Sequence, residues 1–315
     1  MTCKRRFFLL MGSTALIASA CTRATQPDQQ ATTNKAIKRI KHAFGETEVP
    51  TNPTRVIVLG YIAVEAVVDH GLQPIGVPDG LVDSFSHLSL NKEITADVGS
   101  PVQPSFEKII SLKPDLILTS KYRLGNGYSQ LARIAPTVVF DIDSNHQWKE
   151  LTRLCGEALS RQAETQKLVS SYKAKLETVK AKMSQTGKRP QVSVITLIPG
   201  LIRASGTETF AGSVLADAGI SRPPSQAQPQ GPQNISLEAL DLVDGDVIFI
   251  PTLKGNVGFA TGMRAEIDRM KAHPLWSQLK AVKNNQVYEV SSHWMNGSYI
   301  SANRILDDLL TYIGS

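Results

Sequence analysis

Residues 105–118 read SFEKIISLKPDLIL, and residues 236–249 read SLEALDLVDGDVIF. The two stretches align without a gap. Ser, Glu, Asp and Ile coincide, and five further positions exchange one apolar residue for another. Asp115 follows Glu107 at position +8, and Asp246 follows Glu238 at position +8. Each stretch reads as a Ser-capped helix, a stop at Pro114 or Gly245, and then a buried strand. One unit present in both halves predicts two similar lobes with a cleft between them.

Working outward, strand and helix signals alternate on both sides. In the first half, Arg55–Leu59, Pro74–Val77, Leu116–Thr119 and Thr137–Phe140 are short apolar runs of strand type. Ile62–His70, Ser105–Leu112 and Tyr128–Ala135 are helical. In the second half, Val192–Leu197, Val247–Ile250 and Gln286–Val290 read as strands, and Phe210–Ala218 and Ser298–Ile313 as helices. Ser221–Gln233 is a Pro/Gln-rich loop. The alternation indicates a mainly parallel sheet covered by helices. Between the halves, Gln147 to Met183 is almost entirely helical, with Ser160 available to cap its second part. Leu168, Tyr172, Leu176, Val179 and Met183 form one apolar stripe there. About 23 helical residues span roughly 35 Å, enough to run along both lobes.

Residues 1–21, MTCKRRFFLLMGSTALIASAC, carry a basic start (Lys4, Arg5, Arg6), an apolar stretch and small residues before Cys21. That is the layout of an export signal, too short for a comfortable membrane span. Arg5-Arg6-Phe7-Phe8-Leu9 suits twin-arginine export, and Lys-Arg-Arg suits the general secretory route equally. Ala18-Ser19-Ala20-Cys21 resembles a lipobox, with Ala18 where Leu is usual, and makes Cys21 the expected acylation site. The alternative is an ordinary secretory signal. The expected organisation is a signal peptide over 1–20, a lipidated polar tether over 21–40, a first lobe over 41–159, an inter-lobe helix over 160–185 and a second lobe over 186–315.

The full chain of 315 residues carries a net charge of +6, but residues 1–20 hold three cations and no anions, so the remainder carries +3. The high isoelectric point therefore belongs partly to the signal, and a nucleic-acid partner is not expected. Of the three cysteines, only Cys155 lies in the body, which excludes an internal disulfide there. No G-x-S-x-G, H-E-x-x-H, P-loop or C-x-x-C motif occurs, and the six histidines are scattered. Asp307-Asp308 reads as a solvated helix face.

Ligands of parallel α/β sheets bind beyond the carboxyl ends of the strands. Lys121, Tyr122 and Arg123 follow the first repeated strand, and Lys254 follows the second. Tyr61 follows Arg55–Leu59, and Arg203 follows Val192–Leu197. Cations and aromatic groups thus gather where the cleft belongs, which favours a small anionic ligand. The plainer alternative for each cation is a solvated loop residue. Glu107 and Glu238 are either dipole-favoured helix starts or matched acidic knobs for a basic partner.

The body resembles the periplasmic iron–siderophore binding proteins of ABC importers, the group of ferric citrate, ferrichrome and cobalamin binders. The resemblance rests on HAFGETEVPTNPTRVIVLG (42–60), EAVVDHGLQPIGV (65–77), VGSPVQPSFEKIISLKPDLIL (98–118), LARIAPTVVF (131–140), SLEALDLVDGDVIFI (236–250) and HPLWSQLKAVKNNQVYEV (273–290), with Trp294 and the C-terminal helix following. It implies an α/β fold of class III binding-protein type: two Rossmann-like lobes joined by a long rigid helix. It implies delivery of a ligand to an inner-membrane permease and ATPase, with Glu107 and Glu238 docking into arginine pockets of the permease. No arginine stands near Gly99-Ser100-Pro101, where hydroxamate binders of the family carry one. Arg123, Arg203 and Lys254, with Lys121 beside them, suit the carboxylates of a ferric citrate-type or mixed citrate–hydroxamate siderophore. Tyr61, Tyr122 and Trp294 would pack its apolar parts. The siderophore, not the protein, would hold the iron, so no protein metal site and no intrinsic cofactor are expected. The expected protein is a non-enzymatic monomer, anchored through Cys21 at the extracytoplasmic face of the cytoplasmic membrane. The rival readings are a cobalamin or haem binder, an exported α/β enzyme and a lipoprotein adaptor without a small ligand.

Overall fold

The computed structural model describes residues 36–81, 86–121, 127–187, 189–253 and 258–314. The expected signal and Cys21, and the cleft candidates Tyr122, Arg123 and Lys254, lie outside the described residues.

Each half builds its own five-stranded sheet. The first half opens with a hairpin, β1 (Ile37–His42) and β2 (Gly45–Pro50). It continues through β3 (Val56–Val58), α1 (Tyr61–Asp69), β4 (Gly76–Val77) and β5 (Ala96–Asp97). A short hairpin, β6 (Gly99–Ser100) and β7 (Gln103–Pro104), leads to α2 (Phe106–Ser111), β8 (Leu116–Ser120), α3 (Tyr128–Ala132) and β9 (Thr137–Phe140). The sheet order is β5-β4-β3-β8-β9, with every pair parallel. Val56–Val58 and Thr137–Phe140 are buried throughout, as strands of a helix-covered parallel sheet must be.

Helices α4 (Trp148–Ala158) and α5 (Gln162–Thr186) then carry the chain to the second half. That half holds β10 (Val192–Ile198), β11 (Leu201–Ser205), α6 (Phe210–Asp217), β12 (Pro232–Ile235), β13 (Val247–Pro251), α7 (Gly258–Ala272), α8 (Lys280–Lys283), β14 (Val287–Val290) and α9 (Tyr299–Tyr312). Its sheet order is β12-β11-β10-β13-β14. The β10–β13 and β13–β14 pairs are parallel, and β11 and β12 join antiparallel. The two repeated stretches therefore feed separate sheets, and each places its strand (β8 or β13) at the same position in the order.

The repeated aspartate has a structural task. Asp115 accepts from the backbone N–H of Thr54 and Arg55, and the Asp115 N–H donates to the Arg55 carbonyl. In the second half, Asp246 accepts from the Gln191 N–H at 2.7 Å, and the Asp246 N–H donates to the Gln191 carbonyl. Each aspartate thus pins the start of the neighbouring parallel strand, β3 or β10, in register. Gly245 precedes Asp246 because a Cβ there would meet the Gln191 carbonyl oxygen at 2.7 Å.

Four local expectations are corrected. Residues 37–40, assigned to the tether, are strand β1, with Ile40 buried and the other side chains of that run at least partly exposed. The antiparallel strands β11 and β12 carry too little apolar alternation to be read, and β12 takes up the end of the Pro/Gln-rich loop. Leu237–Val243 is a kinked 3₁₀ segment without a Ser236 cap bond, whereas the Ser105 hydroxyl accepts from the Lys108 N–H at the start of α2. Ser160 has φ 57° and precedes α5 without capping it; its hydroxyl accepts instead from Lys38.

The expected stripe on α5 is seen. Tyr172, Leu176 and Val179 are buried, with Leu168 and Met183 packed at their sides. They join a core with Trp148, Phe210 and Tyr299, whose rings meet Trp148 edge-on at 5.5 and 4.8 Å. Trp148 enters from the first half and Tyr299 from the second, so this aromatic cluster is a joint between lobes. Gly297 lies directly on it, since a Cβ there would stand 2.4 Å from the Trp148 Cβ.

Candidate functional site

A pocket of about 820 Å³, counting its open mouth, lies beyond the carboxyl ends of β3, β8 and β9. The start of α1, with Tyr61, forms one wall. Ser120 at the end of β8 and the loop Asp143–Asn145 after β9 form another. Pro232 of β12 and Asn296 close it from the second lobe. The position follows from topology: parallel strands end together, and the loops that leave them diverge around a crevice.

The lobes are tied at this pocket by Asn145. Its Nδ2 donates to the Met295 carbonyl at 3.2 Å, and its Oδ1 accepts from the Phe210 N–H at 3.2 Å. Leu253, after β13, packs on the apolar cores of both lobes.

Of the sequence-derived candidates, Tyr61 lines the pocket. Lys121 stands next to Ser120 at the rim, 55% exposed, with its ammonium 3.3 Å from Asp141. Arg203 pairs across the sheet with Asn234, and its Nε donates to the Asn234 Oδ1 at 3.1 Å. Ser205 pairs with Pro232, so Arg203 and the pocket-lining Pro232 are diagonal neighbours on one face. Each cation is thus next to a pocket-lining residue, and neither lines the pocket itself. Among the described residues the wall itself carries hydroxyl and amide groups and one carboxylate, Asp143, and no lysine or arginine.

Trp294 is a correction. It is 2% exposed, its ring stacks on Phe249 at 4.5 Å, and its indole N–H donates to Asp308 at 2.7 Å. An indole satisfied in this way belongs to the core of the second lobe, not to the pocket wall. Asp308 is corrected with it: its carboxylate also meets His293 Nε2 at 2.8 Å, so it is a buried anchor's acceptor rather than a solvated group. Asn145, Asp143 and Asn296 were not singled out from the sequence. Applying the strand-end rule to β9 as well as β8 would have found the first two.

Glu107 and Glu238 are both exposed. The Glu238 carboxyl is held below the usual range by hydrogen bonds from its own backbone N–H and the Ser236 hydroxyl, with His273 and Arg269 adding their charge. Cys155 is fully buried in α4, and burial pushes its thiol up, as for a packing residue. No group of three or more metal-ligating side chains occurs among the described residues.

A periplasmic binding protein family model matches residues 56–293 of the sequence. The chain belongs to the periplasmic binding protein family. It is 29% identical to the probable siderophore-binding lipoprotein YfiY of Bacillus subtilis, over 97% of this chain and 96% of that one. It is 31% identical to the achromobactin-binding periplasmic protein of Dickeya dadantii, over 83% and 87% of the two chains. Among solved structures it is similar to Staphylococcus aureus SirA complexed with staphyloferrin B, with a TM-score of 0.72 and 29% identity over 88% of this chain and 98% of that one. A binding-protein family, a two-lobed α/β fold and a pocket between lobes agree.

Proposed function

We propose that this chain is an extracytoplasmic lipoprotein that binds a ferric siderophore of carboxylate or mixed citrate–hydroxamate type and hands it to an ABC importer. The observation that carries the reading is the pocket at the strand ends, enclosed by both lobes, with Lys121 and Arg203 each next to a residue that lines it. Near-full-length similarity to proteins named for siderophore binding supports the ligand class. The polar wall supplies hydrogen-bond donors to carboxylate oxygens, and the rim cations offset ligand charge. Binding, not turnover, is the activity: the ligand would carry its own iron coordination, and the site offers recognition groups. Tyr122, Arg123 and Lys254 remain in the proposed set. Cys21 is the proposed acylation site, and the permease is the proposed receptor of Glu107 and Glu238. The protein acts as a monomer in this reading.

A thermal-shift screen against ferric citrate, ferric hydroxamates and cobalamin tests the ligand class. A true ligand at tenfold over its Kd adds about 1.4 kcal/mol of stability. Arg203→Ala is expected to lower ferric-siderophore affinity about tenfold or more, a loss of about 1.4 kcal/mol. Unchanged affinity in a titration removes Arg203 from the site, and a shift with cobalamin alone replaces the ligand.

A further inference from the structure

Helix α1 carries three polar residues one turn apart, Tyr61, Glu65 and Asp69, and i,i+4 spacing puts them on one face. Tyr61 lines the pocket. Glu65 is wholly buried, and so is the group it meets. Its Oε2 accepts from the Ser301 hydroxyl of α9 at 2.6 Å, and its Oε1 lies 3.3 Å from His87 Nε2. His87 Nδ1 in turn meets the Ser292 hydroxyl at 3.1 Å. Asp69 accepts from the Tyr299 N–H at 2.7 Å and the Ile300 N–H at 3.4 Å, at the start of α9. The next residue, His70, reaches the Thr165 hydroxyl of α5 at 2.8 Å.

Every one of these bonds from Glu65 and Asp69 to α9 crosses from the first lobe to the second. Both ends of the connection adjoin the pocket: Tyr61 lies one turn above Glu65, and Asn296 lies between Ser292 and Ser301 in the chain. A buried carboxylate without partners is costly, so the network holds only one arrangement of α1 against α9. We propose that Glu65 is a positioning residue of the ligand site. Through Ser301 and His87 it fixes the α1 wall of the pocket against the Asn296 wall, so that the pocket is formed before ligand arrives. This inference rests on reading that pocket as the ligand site, and it deepens that reading by naming what sets the pocket's width.

The test compares Ser301→Ala, Glu65→Ala and Ser301→Thr with the parent by amide hydrogen exchange on the unliganded protein. Ser301→Ala and Glu65→Ala are expected to speed exchange about tenfold in segments 58–66 and 292–303, while segments of β10 and β13 keep the parent rate. Ser301→Thr, which keeps the hydroxyl, restores the parent pattern. A network that merely stabilised the protein would raise exchange evenly, and that result, or exchange at the parent rate throughout, overturns the proposal. Should Glu65→Ala fail to fold, Ser301→Ala alone decides, since it removes a single buried hydroxyl. With ferric citrate as probe, affinity is expected to fall about fivefold in Ser301→Ala, though Ser301 does not line the pocket. If the parent itself does not bind ferric citrate, the ligand reading fails for that probe, and the exchange pattern still decides the role of Glu65.

Discussion

Arg222 shows how one side chain can stand in for a strand. The β11 strand pairs with β10 only over Ile195–Ile198, so among the described residues the amino half of β10 has no paired strand on that side, and its Val192 N–H donates to the Ser221 carbonyl instead. Arg222 Nε donates to the Val192 carbonyl, and one terminal nitrogen donates to the Ser205 carbonyl, each at 2.7 Å. Gln226 accepts from the Val194 N–H at 2.9 Å. These bonds satisfy a sheet edge that burial has cut off from water. Among the described residues Arg222 has no carboxylate partner, and burial lowers its pKa to about 10. Arg222→Ala should therefore cost about 1.5–3 kcal/mol, read as a lower urea midpoint with an unchanged slope. Gly297 is the other single position with a sharp expectation. Gly297→Ala would push a methyl group into Trp148 and should cost about 1–3 kcal/mol, read as a lower thermal midpoint.

Among the elements, α1 is committed at both ends. One end opens on the pocket and the other buries Asp69 under the start of α9. Burial, and then the nearby Glu65 charge, pushes the Asp69 carboxyl up to about 8, against hydrogen bonds from Tyr299 and Ile300 that pull it down. The unfolded chain releases this proton near pH 4, and the folded chain holds it to about pH 8. The folded state binds more protons across that window, so stability conferred by the protonated group is complete below pH 4 and is lost as pH rises towards 8. Asp69→Asn, which still offers an oxygen to the Tyr299 N–H, should flatten the fall in unfolding free energy between pH 5 and pH 8. A series of urea unfolding curves at fixed salt checks this. An equally steep fall in the variant would assign the dependence to other groups.

Among the described residues, the two five-stranded sheets, each carrying one copy of the repeated unit, are held together by α5, by the Trp148 cluster and by the α1–α9 bonds. If Glu107 and Glu238 are the permease contacts, a Glu107→Ala, Glu238→Ala double variant should bind ligand with parent affinity and lose uptake in cells. Both carboxylates are exposed, so neither change should alter folding. Normal uptake by the double variant would return both residues to plain starts of helical turns. The two points are not equivalent: α2 is a capped helix, while the Glu238 segment is kinked 3₁₀ with Arg269 and His273 nearby.

In the sequence by itself, local period and stop signals were enough to read β3, β4, β8, β9, β10, β13 and β14 and the helices between them, but not β1, β2, β11, β12, α7 or α8. The sequence also determined the duplicated unit, whose Asp115 and Asp246 prove to perform one task in both sheets. It put Tyr61 just after a parallel strand, and the structure has that residue lining the pocket at the strand ends. Tertiary structure alone decided the rest. Trp294 looks like a ligand-stacking aromatic in the chain and is a core residue because Phe249 and Asp308 satisfy it. Asn296 and Glu65 carry no local pattern. Their roles arise from contacts between residues as much as 236 positions apart, which no window along the chain can contain.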